Sequence, residues 1–180
     1  MVGLPVPDPP LARAQLRLRP WRANDVTAAA AAGNDPLISR YRYSLPKTER
    51  AADEWVAACE IDRIAATRLE LAIANPVTPV GSVSLTDFEH GNAMVRYWLL
   101  PQARGHGLAT TGLRLLSSWA FAHLEVGRLA AYVEPDNRAS CAVLERCGFV
   151  QEGRLRRHMT GHDGTRVDTL LYGLLPDELT

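Results

Sequence analysis

Between Ala93 and Phe149 the chain sets glycines, an arginine, a histidine and small polar residues in an order that suits chemistry on a phosphate-bearing ligand. An apolar run, Ala93–Leu100, meets Pro101 and then Arg104-Gly105-His106-Gly107-Leu108-Ala109. An apolar helix follows from Gly107 to about His123, and then a short apolar run, Leu129–Val133. Pro135-Asp136-Asn137 opens another helix, which ends at Gly148-Phe149. Strand, glycine turn, helix, strand, helix holds an anion on backbone amides. The glycines let the main chain turn tightly and approach a ligand, and the helix start offers free N–H groups and the positive end of a dipole.

Spacing decides which anion. A kinase-type phosphate loop needs Lys-Ser/Thr after its second glycine, and neither is present. A dinucleotide fingerprint needs Gly-x-Gly-x-x-Gly, but the third position is Thr110 and no acidic residue follows at the next strand end. The pattern Arg/Gln-x-x-Gly-x-Gly/Ala fits Arg104, Gly107 and Ala109, and in a shifted frame Gln102, Gly105 and Gly107. With Tyr97-Trp98-Leu99 before it and Asn137, Ser140 and Gly148-Phe149 after it, the chain resembles the GNAT N-acetyltransferases. Within them it is similar to the branch named after the ribosomal-protein N-terminal acetyltransferases, over Leu16 to Leu175.

The resemblance implies acetyl-CoA as acyl donor and a primary amine as acceptor, joined by direct attack in a ternary complex. It implies that Arg104, Gly105, His106, Gly107, Leu108, Ala109 and Thr110 hold the pyrophosphate. It further implies that Trp98, Leu99 and Leu100 pair with pantetheine, the Leu99 N–H polarising the thioester oxygen. Asn137 would bond the pantetheine arm and Ser140 would lie beside the sulfur. A structural alternative stays open, because Asn137 and Ser140 at a helix start also serve as caps.

Two departures bear on mechanism. Relatives carry a tyrosine as thiolate proton donor where this chain has Leu144, which makes Ser140 the candidate. Relatives often carry a glutamate at the Met94 position and a glycine at Arg96, so the usual strand carboxylate is missing. Glu134, at the end of the next strand, is either the substitute base or a solvated strand-end residue. A weak base suits an α-amino group, with a pKa of about 7.7–8.0, better than a lysine at about 10.4. The acceptor is therefore expected to be an α-amine of a protein, peptide or small molecule. Other acyl groups such as succinyl, aminoglycoside or polyamine acceptors, and a non-catalytic acyl-CoA-binding module are the rival readings.

Composition narrows the rest. With 180 residues, 47% hydrophobic and 22% charged, the chain is expected to form one domain, residues 13–180, behind a flexible proline-rich arm, residues 1–12. Zero net charge argues against nucleic acid or a membrane surface as partner. No basic-then-apolar leader is seen, and an odd count of 3 cysteines argues against a disulfide framework, so a cytoplasmic protein is expected. Neither Cys141 nor Cys147 has a histidine at a recognisable spacing, which argues against a covalent intermediate. No metal is expected, Asp87, Glu89 and His90 reading as a solvated hairpin tip. A homodimer follows from the resemblance alone.

The positioning elements read from patterning are a strand at Leu16–Arg19, a helix capped by Asn24-Asp25, and a short helix Leu37–Tyr41. A helix from Thr48–Glu49 to about Ala66 follows, then strands Leu69–Ala74, Val80–Leu85 and the central run. After the core unit, Phe149–Met159 and Val167–Leu175 form a hairpin around His162-Asp163-Gly164. This order implies an α/β fold with a mixed, mostly antiparallel central sheet flanked by helices. The segment Arg40-Tyr41-Arg42-Tyr43 either lines the acceptor pocket or forms a surface loop. Arg154, Arg156 and Arg157 read as a solvated edge, with attraction of an acidic group as the alternative.

Overall fold

The computed structural model describes residues 3–42 and 44–179, so Tyr43 of the aromatic segment lies outside the described residues. The chain order is β1 (Leu11–Arg13), β2 (Leu16–Pro20), α1 (Val26–Asn34), α2 (Pro36–Tyr41), α3 (Glu49–Ile64), β3 (Arg68–Asn75), β4 (Thr78–Glu89) and β5 (Asn92–Leu99). Then come α4 (Leu108–His123), β6 (Arg128–Val133), α5 (Arg138–Arg146), β7 (Val150–Thr160) and β8 (Arg166–Leu174). The strands form one 8-stranded sheet in the order β1-β2-β3-β4-β5-β6-β8-β7. Every neighbouring pair is antiparallel except β5 and β6, which are parallel and joined through α4. The expected α/β architecture is the one observed.

Strand alternation splits the core between two faces of the sheet. Ala93, Val95, Tyr97 and Leu99 of β5 pack into a large cluster with Leu113, Leu116 and Ala120 of α4 and Leu144 of α5. Trp98 goes to the opposite face, joining Trp21, Ile38, Ala52 and Trp55 beneath α1, α2 and α3. Trp21 packs edge-on against Trp55 at 5.1 Å and lies 5.8 Å from Trp98. Helix α4 buries Ala109, Gly112, Leu113, Leu116 and Ala120, one stripe at helical spacing. The site is thus walled by two hydrophobic layers.

Three local expectations are revised. Over its described residues, 3–12, the stretch expected as a flexible arm is docked: Leu4, Val6 and Leu11 pack on the main core, the Leu4 N–H donates to Arg63 O at 2.9 Å, and Leu11–Arg13 pairs with β2. Apolar side chains among the prolines supply the burial that holds it. The turn expected over 87–92 contracts to His90-Gly91, because β4 runs on to Glu89 and pairs there with Asn92. Asp25 does not cap α1 with its side chain. Its carboxylate is buried against Arg19, with Nη1–Oδ2 at 2.6 Å and Nη2–Oδ1 at 3.1 Å, and accepts the Arg22 N–H at 2.9 Å.

Candidate active site

The parallel ladder between β5 and β6 covers only Asn92–Met94 against Arg128–Ala130. Beyond it the two strands diverge, and the opening between them is the floor of the site. Leu100 donates its N–H to Val80 O of β4 at 2.9 Å. Successive residues of a strand point their amides to opposite edges, so the Leu99 N–H and C=O face the opening. The Leu99 carbonyl there accepts from Arg104 Nε at 3.1 Å.

The glycine turn leads from this strand into α4. Gly105 and Gly107 have φ of +80° and +73°, and a Cβ at either would meet nothing within 4 Å. Gly107 is the N-cap of α4, and no side chain caps the helix. The first-turn amides of Leu108, Ala109 and Thr110 are therefore left for an anion.

One long cleft runs from this helix start along Trp98 and Leu99 to the N-terminal half of α5. Its wall includes Trp98, Leu99, Arg104, Gly105, Gly107, Leu108, Ala109, Thr110, Asn137 and Ser140. Two expected members are elsewhere. Leu100 is buried in the second core with its amide spent on β4, and the exposed His106 side chain is not part of the wall. Arg104 is in the wall but is tied down, with Nη2 2.6 Å from Asp35 Oδ1. Asp35 also caps α2 by accepting the Ile38 N–H at 2.8 Å. The glycine turn and α2 are thereby joined.

At the far end, Asn137 caps α5, its Oδ1 accepting the Ser140 N–H at 3.2 Å. The capping role is thus real, and Asn137 and Ser140 line the cleft as well. Tyr97, noted in the sequence only as part of a motif, reaches Ser140 from β5. Its hydroxyl donates to Ser140 O at 3.0 Å and lies 2.7 Å from Ser140 Oγ. Desolvation pushes the Tyr97 phenol well above its ordinary value, so it stays protonated. The period-two pattern of β5, which puts Tyr97 on the same face as Leu99, was the available signal.

A second cleft opens on the same junction. It shares Tyr41, Arg42, Tyr97, Asn137 and Ser140 with the first, and adds Met94, Tyr132, Glu134, Met159 and Thr169. Burial, followed by the negative charge of Asp136, raises the Glu134 carboxyl above the ordinary carboxylate range. Asp136 itself is paired with Arg40 of α2 at 2.5 Å. Arg42 Nη1 and Trp98 Nε1 are buried without a hydrogen-bond partner among the described residues. The other expected charges go elsewhere: Asp87 pairs with Arg96 at 3.0 Å and Arg154 with Asp168 at 2.8 Å, the latter on the edge strand β7.

A sheet that opens beside a glycine-led helix, with two clefts meeting at the opening, is the architecture of an acyltransferase fold. The chain belongs to the family of the acetyltransferase (GNAT) domain, whose model matches residues 15–150. It is 35% identical over 100 residues to YdaF of Bacillus subtilis, named as a ribosomal N-acetyltransferase, a match spanning about half of each chain, 54% and 54%. It is 26% identical over 169 residues to the uncharacterized N-acetyltransferase p20 of Bacillus licheniformis, covering 91% of this chain and 94% of that one. Among solved structures, Mycobacterium smegmatis RimJ in complex with CoA-disulfide superposes with a TM-score of 0.80 at 25% identity, over 91% of this chain and 83% of that one.

Proposed function

We propose that this protein is an acetyl-CoA-dependent N-acetyltransferase whose acceptor is an α-amino group of a peptide or protein. The observation that carries the reading is the meeting of the two clefts at Ser140, Tyr97 and Asn137. The first-turn amides of α4, with Gly105 and Gly107, receive the pyrophosphate, and the pantetheine arm lies along the open edge of β5. The Leu99 N–H polarises the thioester oxygen, and such preorganised donors are commonly the largest catalytic contribution. The amine enters from the second cleft, where Glu134 takes its proton. Ser140 stands beside the departing sulfur.

Direct attack is favoured over an acyl-enzyme. Burial pushes the Cys59 thiol up to about 12 and the Cys147 thiol up to about 11, so neither is a thiolate near neutral pH. The α-amine preference is supported by the weak, half-buried base. A homodimer resident in the cytoplasm belongs to the same reading.

Calorimetric titration with acetyl-CoA tests the donor, on wild type and Gly107→Trp, with dephospho-CoA as control. Micromolar-range binding that the substitution abolishes is expected. Well-folded wild type that does not bind would end the proposal. The acceptor is tested with a peptide bearing a free N-terminal alanine against its N-blocked form carrying an internal lysine. Faster thiol release with the first is expected, and preference for the lysine would overturn the α-amine assignment.

A further inference from the structure

Ser140 is not alone at the point where the sulfur would leave. We infer that Tyr97 is the positioning residue that frees the Ser140 hydroxyl to hydrogen-bond the departing thiolate, standing in for the tyrosine absent at Leu144. This rests on the proposed place of Ser140 beside the sulfur.

The argument is one of counting protons. Ser140 O is a carbonyl and only accepts, so Tyr97 donates across the 3.0 Å contact. The second contact, 2.7 Å between the two hydroxyl oxygens, has a single donor. Two arrangements satisfy both residues. In one, Tyr97 O–H points to Ser140 O and the Ser140 proton is spent on the Tyr97 oxygen. In the other, Tyr97 O–H turns to Ser140 Oγ, and the Ser140 proton is released toward the cleft. Ser140 O loses little in the exchange, since it lies inside α5 and keeps its helical partner. A developing thiolate favours the second arrangement, because a donor to Oγ strengthens the bond that Oγ–H makes in turn.

Tyr97 suits this task. It packs against the main core, lines both clefts, and sets its hydroxyl against Ser140, which lines both as well. Burial keeps its proton in place, so it acts as a donor of hydrogen bonds and need not ionise. The balance of the transfer closes without it. The new C–N bond forms as the C–S bond breaks with its electron pair going to sulfur. The proton lost by the attacking nitrogen equals the one the thiolate finally takes up. Leu144 of α5, fully buried in the core, offers nothing polar to replace this pair.

The test needs no acceptor, because coenzyme A itself carries the thiol. Thiolate absorbance of bound coenzyme A is titrated with wild type, Tyr97→Phe, Ser140→Ala and the double variant. Binding of desulfo-coenzyme A serves as a check on fold and groove. Wild type is expected to favour bound thiolate over thiol by about tenfold relative to free coenzyme A, a drop of about one in pKa. Ser140→Ala loses most of that and Tyr97→Phe a smaller but measurable part, the double variant loses no more than Ser140→Ala, and desulfo-coenzyme A binds all four alike. Tyr97→Phe that titrates like wild type, while Ser140→Ala does not, overturns the role of Tyr97 alone. Losses that sum in the double variant, or weakened desulfo-coenzyme A binding by Tyr97→Phe, overturn it too, making Tyr97 merely structural. Ser140→Ala that titrates like wild type removes Ser140 from the sulfur and the inference with it.

Discussion

Gly107→Ala separates what the glycine turn does for folding from what it does for binding. At φ +73° an alanine is left-handed, yet its Cβ meets nothing within 4 Å, so the substitution adds backbone strain and no clash. A left-handed alanine costs about 1–2 kcal/mol. For a chain of this size each kcal/mol is worth about 2–4 °C in melting temperature, so a fall of about 2–8 °C is expected. Gly164, in the β7–β8 turn, provides a matched control, since its φ is +81° and its Cβ also meets nothing within 4 Å. Gly164→Ala should therefore lower the melting temperature by a similar amount. Only Gly107→Ala puts a methyl group in the cleft and disturbs the amides that follow it in α4. Its affinity for acetyl-CoA should fall at least about tenfold, equivalent to about 1.4 kcal/mol. Differential scanning calorimetry and isothermal titration read the two effects separately. If Gly107→Ala bound acetyl-CoA as tightly as wild type, or if Gly164→Ala bound it as weakly, the assignment of the turn would be wrong.

Asp25→Ala strands Arg19 in the interior with only the Pro20 and Val77 carbonyls for company. Removing one partner of a buried pair costs about 3–5 kcal/mol, whereas Glu54→Ala at the exposed Arg50–Glu54 pair should cost well under about 1 kcal/mol. Chemical denaturation checks both, and similar small losses would refute the buried-pair argument. Glu134 works as a base only when deprotonated, so its raised pKa places the acid limb of the kcat/KM profile above the ordinary glutamate value. Asp136→Asn removes a neighbouring negative charge, which lowers the Glu134 pKa and moves that limb to lower pH. A limb that stays in place in Asp136→Asn, or moves up, would exclude Glu134 as the group observed.

What could be read in the sequence is what is local along the chain. The glycine turn, the apolar helix α4 and the Asn137 cap depend on neighbours a few residues away, and all three stand in the structure. Contacts between distant residues were not legible. Tyr97 meets Ser140 across 43 residues, and Arg104 meets Asp35 across 69. No periodicity encodes such pairings, so the tie between Arg104 Nη2 and Asp35 could not be read from the sequence. Leu100 and His106 were assigned to the cleft from their place beside the motif. Strand register turned the first toward β4, and exposure between two glycines sent the second to solvent. The strand β1 was hidden because three residues after a proline-rich stretch carry too little pattern, and its partner β2 supplies the reason to form it.

The brief ladder between β5 and β6 has a mechanical consequence. Among the described residues, the sheet segment β6-β8-β7 is laddered to the first five strands through Asn92–Met94 and Arg128–Ala130, and the Gly127 N–H donates to Gly91 O at 2.8 Å just before them. Sheet continuity thus rests on a hinge of three paired positions and that flanking bond, reinforced by the packing of α4 and α5. In the proposed binding mode, a pantetheine arm laid against the unpaired edge of β5 would act as a bolt across that hinge. Amide hydrogen exchange would register it as two blocks that open separately when the protein is empty, and as one cooperative unit when acetyl-CoA is bound. Donor loading would then set the stiffness of the wall against which the acceptor must later fit.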